Sequence, residues 1–107
     1  MDKPGYVVIL VTASGQAEAE RIRKALLEQR RAACVNIVPG VNSAYWWQGN
    51  LESGEETLLM IKTRTSQIDE IVSLVKQVDS YTVPEIIALP IIGGNPDYLA
   101  WVDREVI

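Results

Sequence analysis

Two long apolar runs joined by a glycine-containing turn, within residues 32–64, constrain this chain more than any other feature. The first run is Ala32, Ala33, Cys34, Val35, Asn36, Ile37 and Val38, carried past Pro39 and Gly40 into Ser43, Ala44, Tyr45, Trp46 and Trp47. The second, Thr57 to Arg64 in sequence, reads Thr-Leu-Leu-Met-Ile-Lys-Thr-Arg. Strand-forming residues on both sides of Gln48, Gly49 and Asn50 predict one long β-hairpin with its tight turn there. Pro39 removes a ladder donor and Gly40 permits a bulge, so the first arm is expected to kink at that pair. Alternation places Tyr45 and Trp47 on one face and Trp46 on the other. Residues 52–56, polar and broken by Gly54, are expected to stay solvated or to form a second irregularity.

The flanking segments complete the plan. Residues 5–13 are β-branched and almost unbroken in apolarity, which predicts a covered central strand. From Gln16 the period changes to that of a helix, with Ala19, Ile22, Ala25 and Leu26 on its apolar face, Ser14 as the expected N-cap and an end near Arg30. Ile68, Ile71, Val72, Val75 and Val78 mark a second helix, with Ser66 as its expected cap and its end near Asp79. Residues 85–92 form a further strand whose Pro90 suits a sheet edge. A last helix is expected over 96–104, capped by Asn95, with Pro96 at the tolerated first position and Leu99 and Val102 facing inward.

Strand, helix, strand, strand, helix, strand and a terminal helix fit a split βαβ arrangement of the α+β class, an antiparallel sheet with two helices on one face. At 107 residues the chain is expected to form one domain over 1–107. The uncovered sheet face and the hairpin edges then need a partner, and we expect a closed homo-oligomer. Tyr45, Trp46, Trp47 and Trp101 are the candidate interface anchors.

Composition narrows the chemistry. Ten basic residues against 14 acidic ones give a net charge of −4 with no His, which argues against a nucleic-acid partner. Apolar segments too short for a membrane span and a first stretch without a cleavage-type pattern argue against membrane and secretory signals, so a cytoplasmic location is expected. One Cys without His makes neither a zinc site nor a Cys-His nucleophile, and Ser-His-Asp catalysis lacks its base.

Four residues stand out as candidate ligand contacts. Cys34 is a small thiol on an apolar strand, with a filler role as the plainer reading. Lys62 interrupts an apolar strand, where a charge is costly unless paired or turned to a rim. Tyr81 lies on a loop, and Glu85 opens a strand, free to take a backbone donor or to pair with Lys62 or Arg64. Lys62 and Glu85 are also the only acid–base pair the sequence offers to an enzyme. The expected function is nevertheless non-enzymatic.

The strings Ala-Ala-Cys-Val-Asn-Ile-Val-Pro-Gly from Ala32, Tyr-Trp-Trp-Gln-Gly from Tyr45, Val-Pro-Glu-Ile-Ile-Ala-Leu-Pro from Val83, and Tyr-Leu-Ala-Trp from Tyr98 resemble the CutA family of divalent-cation tolerance proteins. The resemblance runs from about residue 7 to residue 102. It implies a ferredoxin-like fold, a homotrimer in which the long hairpins extend the sheets between subunits, and a part in the response to metal ions, with a metal ion or small ligand held in intersubunit clefts. Copper, zinc and cadmium are the divalent candidates. Val11, Val78 and Asp79 stand where the family's proposed copper ligands, a Cys and a His pair, would be, and Ser80 replaces the usual Pro, so the soft and imidazole donors that copper selects are missing here. The alternative reading is a signalling or adaptor trimer that docks on partner proteins.

Overall fold

A computed structural model describes residues 5–107. Strand β1 (Tyr6–Ala13) leads into helix α1 (Gln16–Glu28), strands β2 (Cys34–Trp47) and β3 (Asn50–Arg64) form the hairpin, and a 3-10 turn (Thr65–Gln67) runs into helix α2 (Ile68–Val78). Strand β4 (Ile86–Ile91) and helix α3 (Pro96–Glu105) close the chain. The sheet order is β2-β3-β1-β4, antiparallel throughout. This is the expected α+β, ferredoxin-like plan.

Side-chain alternation divides the sheet into two unlike faces. Val7, Ile9 and Val11 of β1 and Leu59 and Ile61 of β3 are buried together with Ile22 and Leu26 of α1 and Ile71 and Val75 of α2. The period-2 strands thus meet the 3.6-period stripes of two helices in one core. Val8, Leu10, Leu58 and Met60 alternate with those buried residues and stay half-buried, while Val38, Ile87 and Leu89 on the flanking strands are exposed. Their register pairs, Leu10 with Met60 and Ile87, and Leu58 with Val38, place them on the face the helices do not cover.

The hairpin turn is two residues long, since Trp47 pairs with Asn50, and both Gln48 (φ 50°) and Gly49 (φ 83°) are left-handed. That combination suits the twist of the two arms and explains a glycine at position 49. The kink falls where Pro39 and Gly40 stand, as a register shift between Val38 and Val41 with Gly40 at φ 74°.

Several local expectations are corrected. Residues 52–55 are exposed and Glu56 is half-buried, but all belong to β3 without a break, because the opposing arm of β2 pairs with this stretch through Tyr45 and Glu52. Ser14 does not cap α1: Gly15 occupies that place, and the Ser14 N–H instead donates to Glu18 at 3.0 Å. The helix stops at Glu28 because Arg30 turns left-handed at φ 54°. Ser66 lies inside the 3-10 turn rather than at a cap, and Gln67 precedes α2. Asn95 does cap α3, accepting from the Asp97 N–H at 3.0 Å, with Pro96 at the first position.

Candidate functional site

Two places on the molecule gather polar groups beside apolar strands, and they lie at opposite ends of the sheet. The first is the base of the hairpin. Cys34 and Lys62 are register partners on β2 and β3, both half-buried. The Lys62 ammonium donates to the Asn36 side-chain carbonyl, and the Cys34 thiol lies 3.7 Å from the same oxygen. Lys62 therefore has a polar partner two positions along the neighbouring strand, which answers the cost of a charge there. Tyr98 of α3 comes down beside Cys34, and burial followed by that neighbour pushes its phenol above the ordinary range. Trp101 packs against Tyr98, ring centroids 5.5 Å apart and tilted by 41°.

The second place is a cleft of about 860 Å³ between the distal half of the hairpin and the loop that follows α2. Tyr45, Trp46 and Trp47 form one wall, and Tyr81, Thr82 and Val83 form the other. Glu52, Glu56 and Glu85 add carboxylates to the lining. Glu56 lies beside Tyr81, and burial, then that carboxylate, push the Tyr81 phenol above the ordinary range.

Next to the cleft two acidic side chains, Glu18 and Asp79, are buried. Glu18, 4% exposed, accepts from the Ser14 N–H at 3.0 Å and from the Ser80 N–H at 2.9 Å. Burial alone would push its carboxyl up, but the hydrogen bonds from Ser14 and Ser80 outweigh burial and hold it below the ordinary carboxylate range. Glu18 thus ties the start of α1 to the start of the cleft loop. Asp79, 8% exposed, accepts from the Tyr81 N–H at 2.9 Å through Oδ1, while its Oδ2 is buried without a hydrogen-bond partner. Burial raises its pKa, and the nearby charges of Glu18 and Glu56 add to the rise against the single bond from Tyr81.

The four candidate ligand residues accordingly separate into two pairs within one protomer. Tyr81 and Glu85 line the cleft, whereas Cys34 and Lys62 sit at the hairpin base, Lys62 being six positions along β3 from Glu56, about 20 Å of strand. Glu85 does not reach Lys62, which donates to Asn36, nor Arg64, which donates to the carbonyls of Val106 and Ile107 and pairs with Asp103 at 3.6 Å. The acid–base pair that an enzymatic reading required is not assembled within the protomer. Tyr45, Trp46 and Trp47 are 44%, 74% and 40% exposed, and Trp101 is half-buried. Among the described residues no three His, Cys, Asp or Glu side chains converge in a way that could hold a metal ion. Val11 is fully buried and Val78 half-buried, and neither aliphatic side chain carries a donor atom.

Glu18, Glu56 and Asp79 are the site residues that sequence reasoning undervalued. Glu18 was hidden by its charged neighbours in α1, although an acid three positions into a helix, after Ser-Gly, is a signal for a carboxylate that reaches back to the preceding N–H groups.

Comparison with known proteins gives a consistent result. The family model described as CutA1 divalent ion tolerance protein matches residues 7–105. The chain is 50% identical over 95 residues to the divalent-cation tolerance protein CutA of Thermus thermophilus, covering 89% of this chain and 92% of that protein. It is 46% identical to the chloroplastic protein CutA 1 of Oryza sativa, covering 90% of this chain but spanning only about half, 54%, of the rice protein. Among solved structures, CutA1 from Oryza sativa superposes with a TM-score of 0.92 at 43% identity, covering 95% of this chain and 94% of that one. The periplasmic divalent cation tolerance protein CutA from Archaeoglobus fulgidus gives the same TM-score and identity, covering 95% and 99%.

Proposed function

The chain belongs to the CutA1 divalent ion tolerance family, and from that premise we propose that it is a trimeric, non-enzymatic tolerance protein whose ligand is held in clefts between subunits. The observation that carries the reading is the cleft itself. Tyr81 and Glu85, picked out by sequence, line it beside the aromatic arm of the hairpin. The open apolar face of the sheet supports assembly, since Val38, Ile87 and Leu89 would otherwise remain in water. Assembly would bring the Cys34 and Lys62 end of one subunit toward the Tyr81 and Glu85 cleft of another, completing a site that one protomer leaves divided.

A divalent ion is one ligand for such a site. Copper is the least suited, because Val11, Val78 and Asp79 supply neither thiolate nor imidazole, and the donors left for a divalent ion are the Cys34 thiolate and the Glu85 carboxylate. Calorimetry of the purified protein with Cu(II), Zn(II) and Cd(II) tests this. Saturable heat that is lost in Cys34→Ser or Glu85→Ala supports metal binding; no saturable heat, or heat unchanged in both variants, removes it. Among the described residues no helix is long and apolar enough to cross a membrane. The single thiol suits a reducing compartment, and we place the protein in the cytoplasm. Cell fractionation checks that placement against the chloroplastic and periplasmic locations named for relatives.

A further inference from the structure

Two buried carboxylates hold the start of the loop that carries Tyr81 and Glu85, and they hold it at consecutive backbone groups. The Ser80 N–H donates to Glu18 at 2.9 Å, and the Tyr81 N–H donates to Asp79 Oδ1 at 2.9 Å. Their remaining oxygens differ. The second oxygen of Glu18 takes the Ser14 N–H at 3.0 Å, whereas Asp79 Oδ2 is buried and meets no donor. The carboxylates that face Asp79 are Glu18 from α1 and Glu56 from β3, and the Tyr81 phenol follows it in the loop. The ion pairs formed by the described residues, Arg30 with Glu105, Arg31 with Glu70 and Arg64 with Asp103, include none of these acids.

A buried oxygen without a donor, beside other carboxylates, is costly while ionised. A proton turns it into a donor and removes one of the like charges. The first proton to enter the pair goes to Asp79, because on Glu18 it would displace a backbone N–H, while Asp79 Oδ2 has no donor to displace. We propose that Asp79 is a proton-operated hinge: protonated, its Oδ2 donates to a neighbouring carboxylate and draws the loop onto the sheet and α1; ionised, it is repelled by Glu18 and Glu56, and the loop that forms one wall of the cleft loosens. Burial first, then the neighbouring charges, raises the Asp79 carboxyl above its ordinary 3.8, so the tightening is present at lower pH and lost as the pH rises through the folded value. Both acids are buried within one protomer, and Asp79 is not among the residues that line the cleft. An assembly that brings Lys62 to the lining therefore leaves the hinge's own contacts in place. As regulation of the cleft, the hinge rests on the reading of that cleft as the ligand site; as a property of the loop, it operates without a ligand.

The test is a carboxyl-detected NMR titration of the full chain, with amide hydrogen exchange of Ser80 and Tyr81 followed over the same pH range and corrected for the intrinsic pH dependence of exchange. The Asp79 carboxyl carbon should titrate above 3.8 and that of Glu18 below 4.5. Protection of both amides should fall by about threefold or more as the pH rises through the Asp79 step. Asp79→Asn keeps an acceptor for the Tyr81 N–H and puts an NH2 donor where Oδ2 stands, so its protection should stay level across the range. Asp69→Asn, exposed in the first turn of α2, removes the same charge elsewhere and should keep the wild-type profile. An Asp79 step at or below 3.8, or wild-type protection that stays level through that step, would overturn the hinge, and so would a wild-type profile in Asp79→Asn. Should Asp79→Asn fail to fold, the wild-type titration and exchange decide alone. Because no ligand enters this experiment, level protection removes the hinge and leaves the cleft reading to the metal calorimetry, and absence of metal heat removes the metal reading and leaves the hinge to the exchange.

Discussion

Replacing Glu18 by Gln isolates the contribution of a buried carboxylate that joins three segments. In the native protein both oxygens accept backbone N–H groups, from Ser14 at 3.0 Å and Ser80 at 2.9 Å. Gln keeps the shape and one acceptor but turns an NH2 group toward the second N–H, so one charge-assisted bond is lost and two donors are left facing each other. Hydrogen bonds to charged groups contribute about 1.5–3 kcal/mol each, and the expected loss for Glu18→Gln lies in that range. With a urea slope of about 2 kcal/mol/M, typical of a small protein, the unfolding midpoint should fall by about 1 M at equal protein concentration.

The pH dependence of that loss has a defined sign. Hydrogen bonding holds the folded carboxyl below its ordinary value of 4.5. Its contribution is therefore present above pH 4.5 and disappears as the pH falls through the lower folded value. Wild type and Glu18→Gln should differ most near neutrality and converge in acid. A midpoint shift below about 0.2 M at pH 7, or a gap that widens on acidification, would refute the reasoning that Glu18 is a stabilising tie.

Two further outcomes follow from the same region and the core. Asp79→Asn should raise stability at pH 7 by about 0.5–1 kcal/mol, measured by urea melts; the folded carboxyl is held above 3.8, so wild type loses stability as the pH rises through the folded value, and the Asn variant should lack that decline. Leu59, fully buried in the middle of β3, should cost about 2–5 kcal/mol when cut to Ala, but under about 1.5 kcal/mol when replaced by Met.

What the sequence disclosed well were features with a period or a fixed stereochemistry. The alternation in β1 and β3, the helical stripes through Ile22 and Leu26 and through Ile71 and Val75, and the Asn95-Pro96 start of α3 each carry their structural meaning locally. The Gln48-Gly49 turn and the Pro39-Gly40 kink are of the same kind. Register between arms was less legible. Glu52, Glu55 and Glu56 look like a solvated loop, and only the partner arm of β2 makes them a strand. The site was the hardest to read because its members are distant in sequence. Glu18 meets Ser80 across 62 positions, and its place after Ser14 and Gly15 marks only the local half of that tie. Cys34, Lys62, Tyr81 and Glu85 stood out by residue type, but residue type does not say that they fall into two pairs at opposite ends of a sheet.

In the proposed reading the hairpin and the open sheet face build an assembly, on which the completed cleft depends. Sedimentation equilibrium at micromolar protein tests it most directly. The account predicts a single species with three times the 11.9 kDa protomer mass, shifting toward smaller species in Leu58→Glu, where a charge is placed on the uncovered face. A native-like wild-type protein that sediments as an 11.9 kDa monomer would contradict it.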